Sequence, residues 1–124
     1  MATFRSHKDL KVYQASFSAA TEIFDISIAF PKDEKYSLTD QIRRSSRSVS
    51  ANLAEAFRKR RYEKAFVAKL TDAEGEAAET QVWLDFSLHH QYTTQKTHEL
   101  LYEKYEIILN QIIAMINSAG KWGY

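Results

Sequence analysis

Apolar residues recur at intervals of three and four along most of the chain, which is the spacing of one face of an α-helix. The first such segment covers about residues 9–30. Its predicted apolar face consists of Leu10, Tyr13, Phe17, Ala20 and Phe24. Four more residues widen this surface, as expected for a helix with more than one neighbour: Val12, Ile23, Ile26 and Phe30. Pro31 disfavours helical geometry at the residue before it, so the helix is predicted to end at Phe30.

A second helix is predicted over about residues 38–58, with Ser37 as its N-cap and Asp40 in its first turn. Its apolar face consists of Leu38, Ile42, Val49, Leu53 and Phe57. Serines and alanines occupy positions 45, 46, 48, 50, 51 and 54. They are typical of a surface that a neighbouring helix approaches closely, although serines on a solvated face are an equal alternative.

The third and fourth predicted helices cover about residues 62–89 and 94–119, separated by a break at residues 89–94. The third has a heptad-like face made of Phe66, Leu70, Ala73, Ala77, Thr80 and Leu84. Gly75 lies inside this helix, and a close helix contact is our preferred explanation for it. The fourth has a face made of Leu101, Tyr105, Ile108, Ile112 and Met115. Thr93 or Thr94 is expected to cap it.

No strand pattern of alternating residues occurs, and the connections between the predicted helices are short. Short connections make neighbouring helices antiparallel. The sequence therefore predicts an all-α protein, an antiparallel up-down-up-down four-helix bundle in one domain, residues 1–124. Helices of this length expose much side surface. The first and fourth helices have more apolar residues than one interior stripe needs, so we expect the bundle to self-associate.

Composition narrows the possible functions further. The chain has no cysteine, which excludes disulfides, thiolate chemistry and sulfur-ligated metals. It has no apolar run long enough for a signal peptide or a membrane span, so we expect a cytoplasmic protein with no membrane contact. The net charge of +1 produces no general attraction for nucleic acid. Any binding of RNA or DNA must therefore depend on local groups of basic residues.

The sequence lacks the patterns that catalysis requires. A two-metal site in a helical bundle uses Glu-x-x-His on each of two helices, and this spacing is absent. His89 and His90 are adjacent, so they point in different directions on a helix. No serine shares a recognisable nucleophile motif with a histidine, and no glycine-rich loop suggests a nucleotide site. We therefore predict no enzymatic activity, no catalytic residue, no metal and no cofactor.

Basic residues cluster at two places, within the second helix and at its end. One cluster contains Arg43, Arg44 and Arg47, and the other contains Arg58, Lys59, Arg60 and Arg61. Taken alone, the favoured interpretation is a solvated surface with ion pairs to the acidic middle of the third helix, at Glu74, Glu76 and Glu79. The alternative is that the clusters contact phosphates without reading sequence. Repetition of the clusters around an oligomer would strengthen that second interpretation.

Several linked motifs resemble one known family. Residues 41–44 read Gln-Ile-Arg-Arg, and residues 48–57 read Ser-x-Ser-x-Asn-x-Ala-Glu-x-Phe. Shorter motifs accompany them: Leu10-x-Val12-Tyr13, Phe30-Pro31, Ala73-x-Gly75 and Glu79-Thr80-Gln81. Together these motifs resemble the bacterial four-helix-bundle family known from 23S ribosomal RNA intervening sequences, over about residues 9–118. The family usually has glycine where this chain has Ala56, and often serine where it has Glu76.

The resemblance implies a homo-oligomeric ring, a pentamer, without known enzymatic activity. The chain is also similar to the accessory proteins of diversity-generating retroelements, which bind nucleic acid and a reverse transcriptase. By position, the family signature includes Arg43, Arg44, Asn52 and Glu55. The resemblance implies a polar cluster at the bundle surface or at a subunit contact, in which Arg43 or Arg44 pairs with Glu55.

Two functional hypotheses follow from these observations. The first is a non-enzymatic interaction protein that binds copies of itself, with another protein as partner or with no further partner. The alternative is an RNA- or DNA-binding protein that uses the basic clusters for phosphate contacts. The near-zero net charge favours the first hypothesis over a strong nucleic-acid binder.

Overall fold

A computed structural model of the protein describes residues 4–123. Four long helices are joined by short connections: α1 (Lys11–Ser27), α2 (Leu38–Arg58), α3 (Glu63–His89) and α4 (Gln95–Asn117). Single 3-10 turns precede α1, precede α2 and follow α4, at His7–Asp9, Lys32–Glu34 and Ala119–Lys121. Residues 4–123 contain no strand, so the all-α prediction is confirmed.

The helix ends are set by local hydrogen bonds. α1 begins later than predicted because Ser6 and Asp9 cap each other's backbone groups and hold a separate 3-10 turn. It ends at Ser27 instead of Phe30, since the chain tightens into i to i+3 hydrogen bonds before Pro31. Of the two residues predicted to cap the fourth helix, Thr94 is the cap, and its hydroxyl accepts from the Thr97 amide at 3.1 Å.

The helices pack around one core. α1 and α3 each contact both α2 and α4. The predicted apolar faces of α2, α3 and α4 are all buried, which confirms them. Three serines of α2 are buried as well: Ser45, Ser46 and Ser50. At these positions the close-packing interpretation of the small residues is correct, and the solvated alternative is wrong.

Buried hydroxyls join the helices at two points. The Ser45 and Thr80 hydroxyl oxygens lie 2.8 Å apart between α2 and α3. The Ser16 and Ser50 hydroxyl oxygens also lie 2.8 Å apart, between α1 and α2. Such short side chains allow the backbones to approach while each hydroxyl keeps a hydrogen bond. They fix the register of α2 against both of its neighbours.

The apolar face of α1 differs from the prediction. The buried residues of α1 are Val12, Ser16, Ala19, Ile23 and Ser27. The predicted Phe17 and Phe24 are instead 59% and 37% exposed. Small side chains face α2 because the serine pair brings the two helices close, which leaves no room for a phenylalanine between them.

Gly75 also differs from the prediction. It lies on an exposed surface of α3, and a Cβ atom built at this residue meets no atom within 4 Å. No neighbouring helix requires glycine there, so the expected close contact is wrong for this chain.

One further property concerns membranes: none of the helices within residues 4–123 is long and apolar enough to cross one.

Candidate interaction surfaces

An open groove lies between α1 and α2, with a volume of about 480 Å³. We call it the α1–α2 groove. Its wall on α1 contains Tyr13, Phe17, Ala20, Thr21 and Phe24. Its wall on α2 contains Arg47, Ser50, Ala51 and Ala54. The small residues of α2 make a shallow floor, above which the two phenylalanine rings stay exposed to solvent. The groove is therefore an apolar surface with arginine at its edge.

Arg43 and Arg47 both lie against the ring of Phe24. Their guanidinium carbons are 4.4 Å and 5.6 Å from the ring centroid. Arg43 Nε also donates a 2.7 Å hydrogen bond to the Ser27 hydroxyl of α1. Positions 43 and 47 are one helical turn apart, so both side chains reach the same ring. Arg47 therefore lines the α1–α2 groove, and Arg43 lies beside it on the Phe24 ring.

Arg44 points to a different side of α2, toward α3. Its guanidinium lies 3.3 Å from the Glu79 carboxylate, and the two side chains are 56% and 34% exposed. The expected pairing with the acidic middle of α3 thus occurs, at one of the three predicted glutamates. Exposed pairs of this kind contribute little to stability, typically below about 1 kcal/mol. Arg44 therefore contributes positive charge to this face of the protein and little to the stability of the fold.

Glu76 lies next to this ion pair on α3. Its Oε2 atom is buried without a hydrogen-bond donor among the described residues. Burial raises the pKa of the Glu76 carboxyl, and the nearby Glu79 carboxylate raises it further. The Arg44 guanidinium acts in the opposite direction and lowers the pKa of the Glu76 carboxyl, without cancelling the effect of burial.

The predicted polar cluster does not form as a unit. Asn52 donates hydrogen bonds within α2, to the carbonyl and hydroxyl oxygens of Ser48 at 2.9 Å and 3.0 Å. Glu55 pairs with Lys69 of α3 at 3.6 Å. The expected pairing of Glu55 with Arg43 or Arg44 does not occur within one chain, because 11 or 12 residues of helix separate them by about 17 Å. The signature residues are distributed along α2.

The second basic cluster, residues 58–61, occupies the end of α2 and the following turn. Arg60 is held in place, since its guanidinium stacks 3.7 Å from the Phe57 ring centroid and donates to the Phe57 carbonyl at 2.7 Å. Arg58 and Lys59 are exposed, and no ion pair to either occurs within residues 4–123. Cations at a helix C-terminus complement the backbone dipole. The two groups of basic residues are therefore separate sites.

Four helices around one core make this an all-α protein. It has an apolar groove on one side and cations along one helix. Residues 8–117 match the model of the family described as 23S rRNA-intervening sequence protein, and the chain belongs to this family. This confirms the resemblance found in the sequence. The similarity to retroelement accessory proteins stays a prediction.

One solved structure similar to this chain is a protein of unknown function from the S23 ribosomal protein family of Bacteroides thetaiotaomicron. The two sequences are 28% identical, and the match covers 86% of this chain and 95% of the other, with a TM-score of 0.77. None of the curated proteins compared with the chain matches it.

Proposed function

We propose that the protein is a non-enzymatic interaction module whose four-helix bundles assemble into a homo-oligomeric ring, a pentamer. The observation that carries this proposal is the α1–α2 groove, in which Phe17 stays 59% exposed above a floor of small residues. About 60% of a phenylalanine surface of about 200 Å² corresponds to roughly 3 kcal/mol when it is removed from water. A neighbouring subunit is the most direct means of covering this groove.

A ring needs two different surfaces on each copy, because the contacts of a cyclic assembly run head to tail. α4 offers a second apolar surface, where Leu100 and Ile107 are 58% and 49% exposed. These residues lie on the same side of α4, seven positions apart and thus about two turns. We propose that this surface of one copy occupies the α1–α2 groove of the next.

The building block of this assembly is an antiparallel up-down-up-down bundle. Contacts between α1 and α2 support this order, because Ser16 meets Ser50 while the later Ser27 meets the earlier Arg43. Contacts between α2 and α3 support it in the same way, at Ser45 with Thr80 and at Glu55 with Lys69. In each pair of helices, advancing along one means retreating along the other.

Solution mass tests the ring proposal. Sedimentation or light scattering should give a multiple of the 14.4 kDa chain mass at micromolar concentration. Phe17→Asp places a charge in the groove and should produce monomers with unchanged helical circular dichroism. Tyr36→Asp is the matched control, since Tyr36 is an 84% exposed aromatic residue outside the groove. A monomeric wild-type protein would refute the proposal. An equal loss of assembly in Phe17→Asp and Tyr36→Asp would refute it too.

A second candidate function is sequence-independent binding of RNA or DNA. The observation that favours it is the exposure of Arg58 and Lys59, both without an ion pair in the described part of the chain. Phosphate contacts from such residues release counterions, so affinity falls as salt rises. A ring would repeat the basic turn at residues 58–61 in every subunit, and the electrostatic fields of the copies would add.

Fluorescence titrations of short RNA and duplex DNA across salt concentrations test this second function. Removing two phosphate contacts should reduce the slope of log affinity against log salt by about 1.4 for single strands and 1.8 for duplex DNA. The variant is Arg58→Ala with Lys59→Ala. The control is Lys11→Ala with Lys96→Ala, which changes the charge equally on exposed positions of α1 and α4. Absence of wild-type binding at low salt would eliminate this candidate.

A further inference from the structure

A second pocket lies at one end of the protein, between the start of α2 and the end of α3, and has a volume of about 570 Å³. We call it the end pocket. Glu34, Ser37 and Leu38 line one side of it, and Trp83, Phe86 and His90 line the other. Pockets for small ligands usually have volumes of about 300–1,000 Å³. Neither the proposed assembly nor the proposed nucleic-acid contacts use this pocket.

The α3 side of the end pocket is an aromatic wall. Trp83, Phe86 and His90 follow each other at helical spacing, so their rings form one continuous surface. The Trp83 and Phe86 centroids are 5.9 Å apart, and the Phe86 and His90 centroids are 6.1 Å apart. Phe86 is 46% exposed, which leaves much of its ring accessible from the pocket side. Such a wall offers π surface to a ligand.

The opposite side of the end pocket holds one fixed carboxylate. Glu34 accepts hydrogen bonds from the Ser37 hydroxyl, from the Tyr92 hydroxyl at 3.0 Å and from the Leu38 amide at 3.3 Å. The Ser37 bond lowers the pKa of Glu34 most, and the Tyr92 and Leu38 bonds lower it further. The carboxylate is therefore held in one position and stays ionised at neutral pH.

We propose that the end pocket binds a small organic cation that carries a guanidinium or alkylammonium group. Aromatic faces attract cations, most strongly the indole ring, and the attraction grows as water is excluded. The Glu34 carboxylate adds a charge-assisted hydrogen bond to the same group. An anionic ligand would be repelled by this carboxylate. Bare metal cations prefer a shell of oxygen ligands, which the rings do not supply.

The first test uses N-acetyl-arginine amide as the cationic probe and N-acetyl-citrulline amide as its neutral isostere. The chain has two tryptophans, so its NMR spectrum has two indole N–H signals. The Trp122→Phe variant identifies the signal of Trp83. Titration at about pH 8 should move the Trp83 signal in a saturable way with the arginine probe. The citrulline probe should produce no saturation over the same concentration range.

Variants then assign the interaction to particular groups. Glu34→Gln keeps the shape of the side chain but removes its charge, and should weaken the arginine probe about tenfold. Phe86→Leu removes one ring and should weaken it about fivefold, the fold-change of a single cation–π contact of about 1 kcal/mol. Glu103→Gln, which neutralises an exposed carboxylate of α4, is the control and should leave binding unchanged.

Three results would overturn the proposal. One is saturation by both probes, which would make charge irrelevant. Another is unchanged affinity in Glu34→Gln while the unperturbed Trp122 signal shows an intact fold. The third is the absence of saturable binding of the arginine probe to the wild type; a lower solution mass of Glu34→Gln would then make the pocket part of a subunit contact. The ring proposal survives the first two results, because it depends on the α1–α2 groove.

Discussion

The buried hydroxyl pair between α2 and α3 leads to an asymmetric prediction about stability. The Thr80 hydroxyl donates to the Glu76 carbonyl oxygen within its own helix, at 2.9 Å. A hydroxyl has a single hydrogen and this carbonyl is the better placed acceptor, so we assign Ser45 as the donor in the 2.8 Å contact between Ser45 and Thr80. The other acceptor for Ser45 is the Ile42 carbonyl oxygen, at a long 3.4 Å. A substitution of Ser45 therefore removes the donor of this hydrogen bond, whereas a substitution of Thr80 removes its acceptor.

Ser45→Ala leaves the Thr80 hydroxyl with its bond to the α3 backbone, so we expect a loss of about 1 kcal/mol in the free energy of unfolding. Thr80→Val leaves a buried Ser45 hydroxyl with one poor acceptor, so we expect a loss of about 2 kcal/mol. The double variant removes both polar groups together. Its loss should be about 1 kcal/mol, which is smaller than the sum of the single losses.

Thermal and urea unfolding followed by circular dichroism measure these differences. An unfolding entropy of about 2.1 cal/mol/K per residue makes 1 kcal/mol equivalent to about 4 °C in Tm for a chain of 124 residues. All variants need the same protein concentration, because self-association adds to apparent stability. Additive losses in the double variant, or a larger loss for Ser45→Ala than for Thr80→Val, would refute the assigned direction of the hydrogen bond.

Three further predictions concern residues outside this pair. Gly75→Ala should raise stability by up to about 1 kcal/mol in urea unfolding, because the site has open space and alanine favours helix. A lower stability of Gly75→Ala would mean that glycine is required at this position. Tyr105→Phe should raise stability by about 1 kcal/mol, since the fully buried Tyr105 hydroxyl has no partner among the described residues; a lower urea midpoint would contradict this. Hydrogen bonds hold the pKa of Glu34 below its ordinary value of 4.5, so its contribution is present above that pH and is lost as pH falls through the folded value. The acid unfolding curve of Glu34→Gln should lack the loss of stability that protonation of Glu34 causes in the wild type. Identical acid unfolding curves for the two proteins would refute this prediction.

The sequence predicts α2, α3 and α4 well because their large apolar residues are also their buried ones. Ile42 and Leu53 of α2 and Phe66 of α3 lie on the predicted faces and are fully buried. In these helices hydrophobic periodicity and packing carry the same information. The acidic partner of Arg44 could be predicted for a related reason, since the connection between α2 and α3 is short and the helices are neighbours.

The face of α1 was mispredicted because size and burial disagree there. Ser16 and Ala19 carry little hydrophobic signal, yet they are fully buried, while Phe17 carries a strong one and is exposed. Single-sequence periodicity gives most weight to large side chains. The end pocket was missed for a different reason. Its carboxylate at Glu34 and its ring at Phe86 are 52 positions apart in the chain, and only the tertiary fold brings them to one site.

The separation of the basic residues makes the two proposed functions compatible. Arg43 and Arg47 stack on Phe24 at the edge of the α1–α2 groove. A subunit that covers the groove would cover these arginines too, so assembly and phosphate contacts would compete for them. The basic turn at residues 58–61 begins 11 residues after Arg47, which is about 17 Å along the helix axis. A ring that uses the groove therefore leaves this turn available, so phosphate contacts should respond to changes at Arg58 and little to changes at Arg47.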